Sequence, residues 1–518
     1  MSGVPEICRR PLTVILVLGL AIRLVLMPLL TFELDLGYWL RITGMLDAGF
    51  GLYDTTGYYY TPIWGYIVAV FSYLGSLIGI SDLATFVPEL TPYISGVYIV
   101  SEYVVSPAYA VMMKIPIVMA DTVTAYLLYD LVKYVTSDTR KAVRAFALWY
   151  LCPFVILVSS VHGMFDSISA MLILLTICLI VRRNYFLGGA AFALSVLTKF
   201  FPLFFIFFLV AYVLRREGID GRGLRYLLSA VAGSLVASVA VLLPAALNGQ
   251  LWESLFFLTD RLGISSWTMD TSTVSRMILA LILIVCAVCV VGYVINRWKG
   301  AVIRDCLSSI DPKVRDRRVK IALLCLGVVV TAAVVTYTVL SFEGTDDGVF
   351  LHLMISLGMR GVMLLSIFTL IIEVYIAYLL LVSDTMGHRT VFSLLAASSL
   401  VVFLWPPLPQ YAVVIVPFLV LYIVSVNDGF GRPFMAFSLV LFIYEALLIN
   451  ASSLFSLSVY TDLIPFDIPL SVTEWASGAV LGIPISALIL GALSIAEYLV
   501  MFNMVRFWYT NKEVSDDA

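Results

Sequence analysis

The chain is poor in charge. Charged residues make up 13% of its 518 residues, about half the share of an ordinary soluble domain. Hydrophobic residues reach 62%, which leaves too little polar surface to cover a water-soluble globule. Apolar runs at residues 12–30, 321–340 and 479–502 come close to or exceed the roughly 20 residues that a helix needs to cross hydrocarbon. These features exclude a secreted, fibrous or disordered chain and predict an all-α polytopic membrane protein.

The sequence gives little support to metal-binding, disulfide-stabilised or soluble-enzyme classes of protein. The seven cysteines lack zinc-ligand spacing, and their odd number argues against a disulfide framework. The sequence contains no Walker lysine loop, HExxH, GxSxG or dinucleotide fingerprint. A net charge of −3 gives no electrostatic case for nucleic-acid binding. We therefore expect any chemistry to use a substrate that is delivered in the membrane.

The basic residues predict a topology. Most of the 31 lysines and arginines cluster in alternating loops, so the positive-inside rule places both termini in the cytoplasm and predicts about 14 crossings of a plasma or ER membrane. Residues 32–113 form one large external loop whose apolar parts are re-entrant or interfacial. Proline-containing segments at residues 199–202 and 405–411 interrupt the apolar runs. The chain is predicted to turn at both of them on the same outer face of the membrane. Polar features thus converge on the external or lumenal leaflet.

The external loop opens with two acids, Glu33 and Asp35, one residue apart. Carboxylates so placed suit a general base or a metal clamp, but ordinary solvated loop acids share this spacing. Residues 49–66, which include Tyr60, hold five tyrosines and one tryptophan. That density suits stacking on sugar and equally suits an interfacial aromatic belt.

Later outer turns carry further candidates. His162 is one of only three histidines and lies close to Asp166 in a short turn, where the acid is equally suited to cap the next helix. Lys199 lies among phenylalanines, so it is either a counter-charge for a lipid phosphate or a snorkelling lysine. Arg360 lies deep in an apolar run and needs an anionic partner, either a ligand or another helix. Gln410 offers a neutral amide at the last break.

Several short motifs occur in the order found in the GT-C superfamily of integral-membrane glycosyltransferases, which the chain resembles over about residues 1–420. The turn at His162 resembles an HGQFDSI-type turn, with Met164 in place of the usual glutamine, and the turn at Lys199 resembles a K-x-[YF]-P turn. The segments that carry the likeness are residues 58–63, 113–121, 162–168, 199–202 and 409–411 with Pro417.

This resemblance implies a GT-C-type fold and a hexosyltransferase. A hexose, with mannose as first choice, would pass from a polyprenyl- or dolichyl-phosphate donor to a lipid or glycan hydroxyl with inversion. Asp35 would be the catalytic base, with Glu33 in reserve. The donor phosphate and its sugar would be held by Lys199, His162, Asp166, Arg360, Gln410, Tyr411 and Tyr60. We expect no cofactor and no metal, although the acidic pair leaves a divalent ion open.

Two rival classes make different predictions. A lipid-carrier flippase or transporter would show internal repeats and mid-membrane charges, whereas the polar residues here gather at one face. An O-antigen-type ligase or polymerase would carry an arginine- and histidine-rich late loop, but residues 248–273 contain one arginine and no histidine. The sequence thus predicts a transmembrane catalytic module at residues 1–426 and further transmembrane helices of unassigned role at residues 427–518.

Overall fold

The fold is taken from a computed structural model of the protein. The structure describes residues 6–54, 58, 60–93, 102–218, 221–255, 372–381, 383, 386–402, 409–443, 446, 451–461, 463–477, 479–480 and 483–484. Two short two-stranded hairpins are the β-structure of this described part. The rest of its regular structure is helical, which confirms the predicted class of a mostly helical protein.

The first group of helices precedes residue 256. It comprises α1 (Glu6–Leu29), α2 (Glu33–Asp47), α3 (Pro62–Leu77), α4 (Pro107–Thr136), α5 (Thr139–Tyr150), α6 (Pro153–Ile156), α7 (Asp166–Val181), α8 (Tyr185–Val196), α9 (Ile206–Glu217) and α10 (Gly221–Leu247).

The second group follows residue 371. It comprises α11 (Ile372–Leu381), α12 (His388–Val402), α13 (Val416–Ser425), α14 (Gly431–Ile443), α15 (Phe455–Tyr460) and α16 (Asp467–Ser477). One hairpin pairs β1 (Ala84–Phe86) with β2 (Tyr103–Val105), and the other pairs β3 (Ala479–Val480) with β4 (Ile483–Pro484), both antiparallel.

Three described helices are long and apolar enough to cross a membrane: the part of α1 from Pro11 to Leu29, α4 and α10. Helices α5 and α6, the latter continued to His162, are bent by 47° and add a fourth span if they count as one. These spans are consistent with a polytopic membrane protein. Some predicted crossings, such as residues 321–340, lie outside the described residues.

Helix α4 begins earlier than its apolar pattern suggests. The sequence places a crossing at residues 115–134, whereas the helix starts at Pro107. Ser106 caps it, because its hydroxyl accepts a hydrogen bond from the backbone N–H of Tyr109 at 3.2 Å, and Pro107 needs no partner at the first helical position. As a result, the end of the predicted external loop is part of a membrane helix.

A buried ion pair joins the bundle around α4. Arg23 of α1 and Asp121 of α4 lie 3.0 Å apart with no solvent exposure. The Arg23 guanidinium also donates to the carbonyl of Tyr150 at 2.7 Å and lies 4.3 Å from that ring's centroid. One arginine therefore fastens α1, α4 and α5 together, and the otherwise costly intramembrane charge is compensated.

Glycines bring α8 and α10 into direct backbone contact. A Cβ on Gly189 would lie 1.8 Å from the carbonyl oxygen of Ala230, and one on Gly233 would lie 1.9 Å from that of Phe186. The Ser234 hydroxyl donates to the Gly189 carbonyl at 2.8 Å. Small residues of this kind let membrane helices approach closely without an apolar driving force.

Candidate functional site

A buried ion pair lies where α7 begins and α8 ends. The Lys199 ammonium is 3.0 Å from the Asp166 carboxylate, and the two side chains are 4% and 0% exposed. Asp166 is the first residue of α7, and Lys199 lies just before the Phe201–Phe205 3₁₀ helix. Two of the residues that the sequence analysis assigned to donor binding are thus partners of each other.

Three aromatic rings enclose the lysine. Its Nζ atom lies 4.1 Å from the ring centroid of Tyr411, 4.6 Å from that of Phe165 and 5.5 Å from that of Tyr60. Cation–π attraction is strongest where water is excluded. We call Tyr60, Phe165, Asp166, Lys199 and Tyr411 the outer cluster, after the side of the membrane that the sequence predicts for it. It unites three separated parts of the chain: the segment before α3, the α7–α8 pair and the segment before α13.

The turn before α7 has a special backbone. Residues Leu157–His162 form a π-helical turn, a feature frequent at functional sites. Gly163 then adopts a φ of +71°, and a Cβ there would lie 3.2 Å from the Leu36 side chain and 3.3 Å from that of Lys114. Glycine is therefore required by both its conformation and its neighbours.

Glu33 is the centre of a second polar group. Its carboxylate accepts hydrogen bonds from the Val105 N–H at 3.0 Å, the Ser456 hydroxyl at 3.2 Å and the Thr31 hydroxyl. Burial raises the pKa of Glu33 to about 7, although these hydrogen bonds act in the opposite direction. We call Thr31, Glu33, Val105 and Ser456 the Glu33 network.

Lys114 and His162 lie beside this network. The Lys114 ammonium donates to the carbonyls of Leu30 at 2.6 Å and Met27 at 2.9 Å, so it caps the C-terminal end of α1. The His162 ring packs against Phe32 with centroids 5.0 Å apart. Both side chains are buried.

The remaining candidates are placed as follows. Asp35 is half-buried in the first turn of α2, so Glu33, the reserve base, is the more enclosed of the two acids. Gln410 belongs to the Pro409–Val414 3₁₀ helix. Arg360 lies outside the described residues. Within the described part of the chain, no three His, Cys, Asp or Glu side chains are grouped as they would be to hold a metal ion.

Sequence reasoning missed several polar residues. Thr31 and Ser456 were not selected, and Lys114 and Asp121 entered only as part of the segment 113–121 without a role of their own, although each of the four is buried and hydrogen-bonded or ion-paired. Lys114 and Asp121 did carry a signal, because charged residues in apolar helices require partners. Thr31 and Ser456 are ordinary residues 425 positions apart, so nothing in the sequence indicates that they meet.

A protein-family model matches the chain over residues 44–299. It describes the GPI transamidase subunit PIG-U. The match covers slightly less than half of the chain and includes α3 to α10, with Tyr60, Phe165, Asp166 and Lys199 of the outer cluster. No curated protein matches the sequence.

This match overturns the functional predictions made from the motifs. Membership of a GT-C glycosyltransferase family is wrong, and so are the predicted hexosyl transfer, the polyprenyl- or dolichyl-phosphate donor and the glycan acceptor, because the matching family is a transamidase subunit. The physical reason lies in the motifs themselves. A lysine in an aromatic outer turn and an acid at a helix start form an internal ion pair as well as they form a donor site, and here Lys199 pairs with Asp166.

Proposed function

We propose that the chain is a membrane-embedded, non-catalytic subunit of a transamidase complex that attaches proteins to a glycosylphosphatidylinositol anchor. The observation that carries this proposal is the family match over residues 44–299. Its partners would be the other subunits of that complex, the protein to be anchored and the glycolipid.

The chemistry of the described residues suits a structural subunit better than a catalytic one. Amide transfer through an acyl-enzyme needs a nucleophile that can reach a polypeptide. Cys152 and Cys178, the cysteines whose side chains the structure describes, are buried among the helices, and the Cys152 thiol donates to Ser438 at 3.4 Å. Asp121, Asp166 and Lys199 are engaged in buried ion pairs, which suits a scaffold better than proton transfer.

The topology belongs to the same proposal. Both termini lie in the cytoplasm, about 14 helices cross the bilayer, and the outer cluster and the Glu33 network face the external or lumenal side. Residues 1–426 contain the outer cluster, and residues 427–518 add further membrane helices. This arrangement presents the enclosed polar groups on the side where a protein to be anchored would arrive.

Deletion of the chain's gene in its host tests the function. A secreted reporter with an anchor-attachment signal should accumulate as unprocessed, lipid-free precursor, since the complex lacks a subunit. Re-expression of the wild type should restore anchoring. Lys199→Met should restore it less well than Arg182→Met, a matched change in an ion pair whose Arg182 and Asp130 side chains are 31% and 60% exposed. Complete anchoring in the deletion strain would overturn the proposal.

A further inference from the structure

The segment 451–460, far beyond the region that matches the family model, is bonded to the first external part of the chain. The Thr31 N–H donates to the Ser453 carbonyl at 3.2 Å. The Tyr460 hydroxyl contacts the carbonyl of Val104 at 2.8 Å and the Thr85 hydroxyl at 2.9 Å. Phe455 is buried in a small core with Val87, Leu90 and Val104. The segment therefore docks on both the end of α1 and the β1–β2 hairpin.

The Glu33 carboxylate lies at the junction of these three elements. One oxygen accepts hydrogen bonds from Thr31, which follows α1, and from Ser456 of α15; the other accepts from the N–H of Val105 in β2. The side chain is 8% exposed. Its bonds to Ser456 and Val105 both break if the segment and the hairpin separate from α2.

We propose that Glu33 is a latch that holds the segment 451–460 against the first external region and that its gain or loss of a proton sets how tightly the segment is held. Hydrogen bonds to an ionised carboxylate are strong ones, but burial opposes the charge. The balance between these two effects makes the latch sensitive to protonation.

Two other titratable groups face Glu33. Lys114 of α4 is an adjacent cation that favours the ionised carboxylate, and Tyr460 of α15 is a neutral phenol at the same junction. His162 lies beyond Lys114 and interacts with it electrostatically. The Lys114 ammonium donates its hydrogen bonds to two backbone carbonyls outside the docked segment. Of the two charged groups Lys114 and Glu33, Glu33 is therefore the one that bonds directly to that segment.

The sign of the pH effect follows from burial. The pKa of Glu33 is about 7 when the segment is docked and returns towards 4.5 when the carboxyl is hydrated. Undocking therefore releases a proton between these two values. The open form should become roughly 300-fold more favoured as pH rises from 4.5 to 7, with no further change above that range.

Amide hydrogen exchange on the full chain in lipid nanodiscs measures the opening. The rate for residues 451–460 in the wild type is divided by the rate in Glu33→Gln at the same pH, which removes the intrinsic pH dependence of exchange. We expect this ratio to rise by up to about 300-fold between pH 4.5 and 7 and then to level off. A ratio that does not change with pH would overturn the proposal.

Two further variants guard against misfolding and non-specific effects. Glu89→Gln changes an exposed acid of the same external region and should keep the wild-type profile. Ser456→Ala removes one donor to the carboxylate, so its exchange measured relative to Glu33→Gln should level off at a higher pH than that of the wild type. An unchanged pH profile in Ser456→Ala, or a flattened one in Glu89→Gln, would contradict the latch.

Discussion

Replacing Lys199 with methionine should strongly destabilise the protein. The change keeps the apolar length of the side chain but leaves Asp166, which has no solvent exposure, without its partner cation. Breaking a buried ion pair from one side costs about 3–5 kcal/mol. The lost contacts with the rings of Tyr411 and Phe165, at 4.1 and 4.6 Å, add about 1 kcal/mol. We therefore expect a loss of about 5 kcal/mol.

A double-mutant cycle separates the pair from the site around it. Asp166→Asn alone also leaves one charge unpaired, whereas the combination with Lys199→Met removes both charges. Because replacing both partners is far less costly than removing one, the double variant should lose less than the sum of the single variants by at least about 2 kcal/mol. Equilibrium unfolding in mixed micelles with increasing SDS gives all four free energies.

The matched control is the exposed pair of Arg182 and Asp130, on the predicted cytoplasmic side. Arg182→Met should cost less than about 1 kcal/mol, because water and salt screen exposed ion pairs. If Lys199→Met is equally mild, or if the two changes at Asp166 and Lys199 are simply additive, the ion pair does not stabilise this end of the bundle.

Three further predictions concern packing, pH and orientation. Gly189→Ala should destabilise the protein by about 1–3 kcal/mol through overpacking against Ala230. Gly37→Ala, which has open space around its Cβ position, should be neutral or slightly stabilising. Thermal unfolding of both variants checks this prediction, and equal effects would contradict it. The free energy of unfolding should fall by about 3 kcal/mol between pH 4.5 and 7 through Glu33 alone. The pKa of this acid is raised in the folded protein, so its contribution to stability is fully present below pH 4.5 and is lost as pH rises through about 7. In a denaturation series, the free energy of unfolding of Glu33→Gln should therefore vary less with pH, by that amount. A membrane-impermeant maleimide should label Glu89→Cys and Arg140→Cys from opposite sides of sealed vesicles, and labelling from one side would refute the proposed topology.

The helical class could be predicted from the composition and the apolar runs of the sequence. The low charge and long apolar runs require membrane helices, and α1, α4 and α10 have the length to cross a bilayer. The start of α4 could not be read from hydropathy, because Ser106 and Pro107 set it through capping. Nor could the 47° angle between α5 and α6, although the break itself lies just before Pro153, where a helix is expected to end.

The site was partly predictable as a set of residues but not as a set of partners. Lys199, Asp166, Tyr60 and Tyr411 were all selected from the sequence, and the structure brings them together. Their pairing with each other could not be predicted, because an unpaired lysine and a lysine in a buried ion pair have the same sequence signature. The docking of Ser456 against Glu33 depends on contacts 423 positions apart, which no local pattern encodes.

The chain is proposed to be a subunit of a transamidase complex. The most direct test purifies the tagged chain in mild detergent with its bound partners and measures transfer of a labelled peptide from an amide to added hydroxylamine. We predict that this activity co-purifies with the chain and is reduced when the chain carries Lys199→Met. Absence of peptide transfer, with labelled sugar instead moving from a polyprenyl-phosphate carrier, would contradict the account.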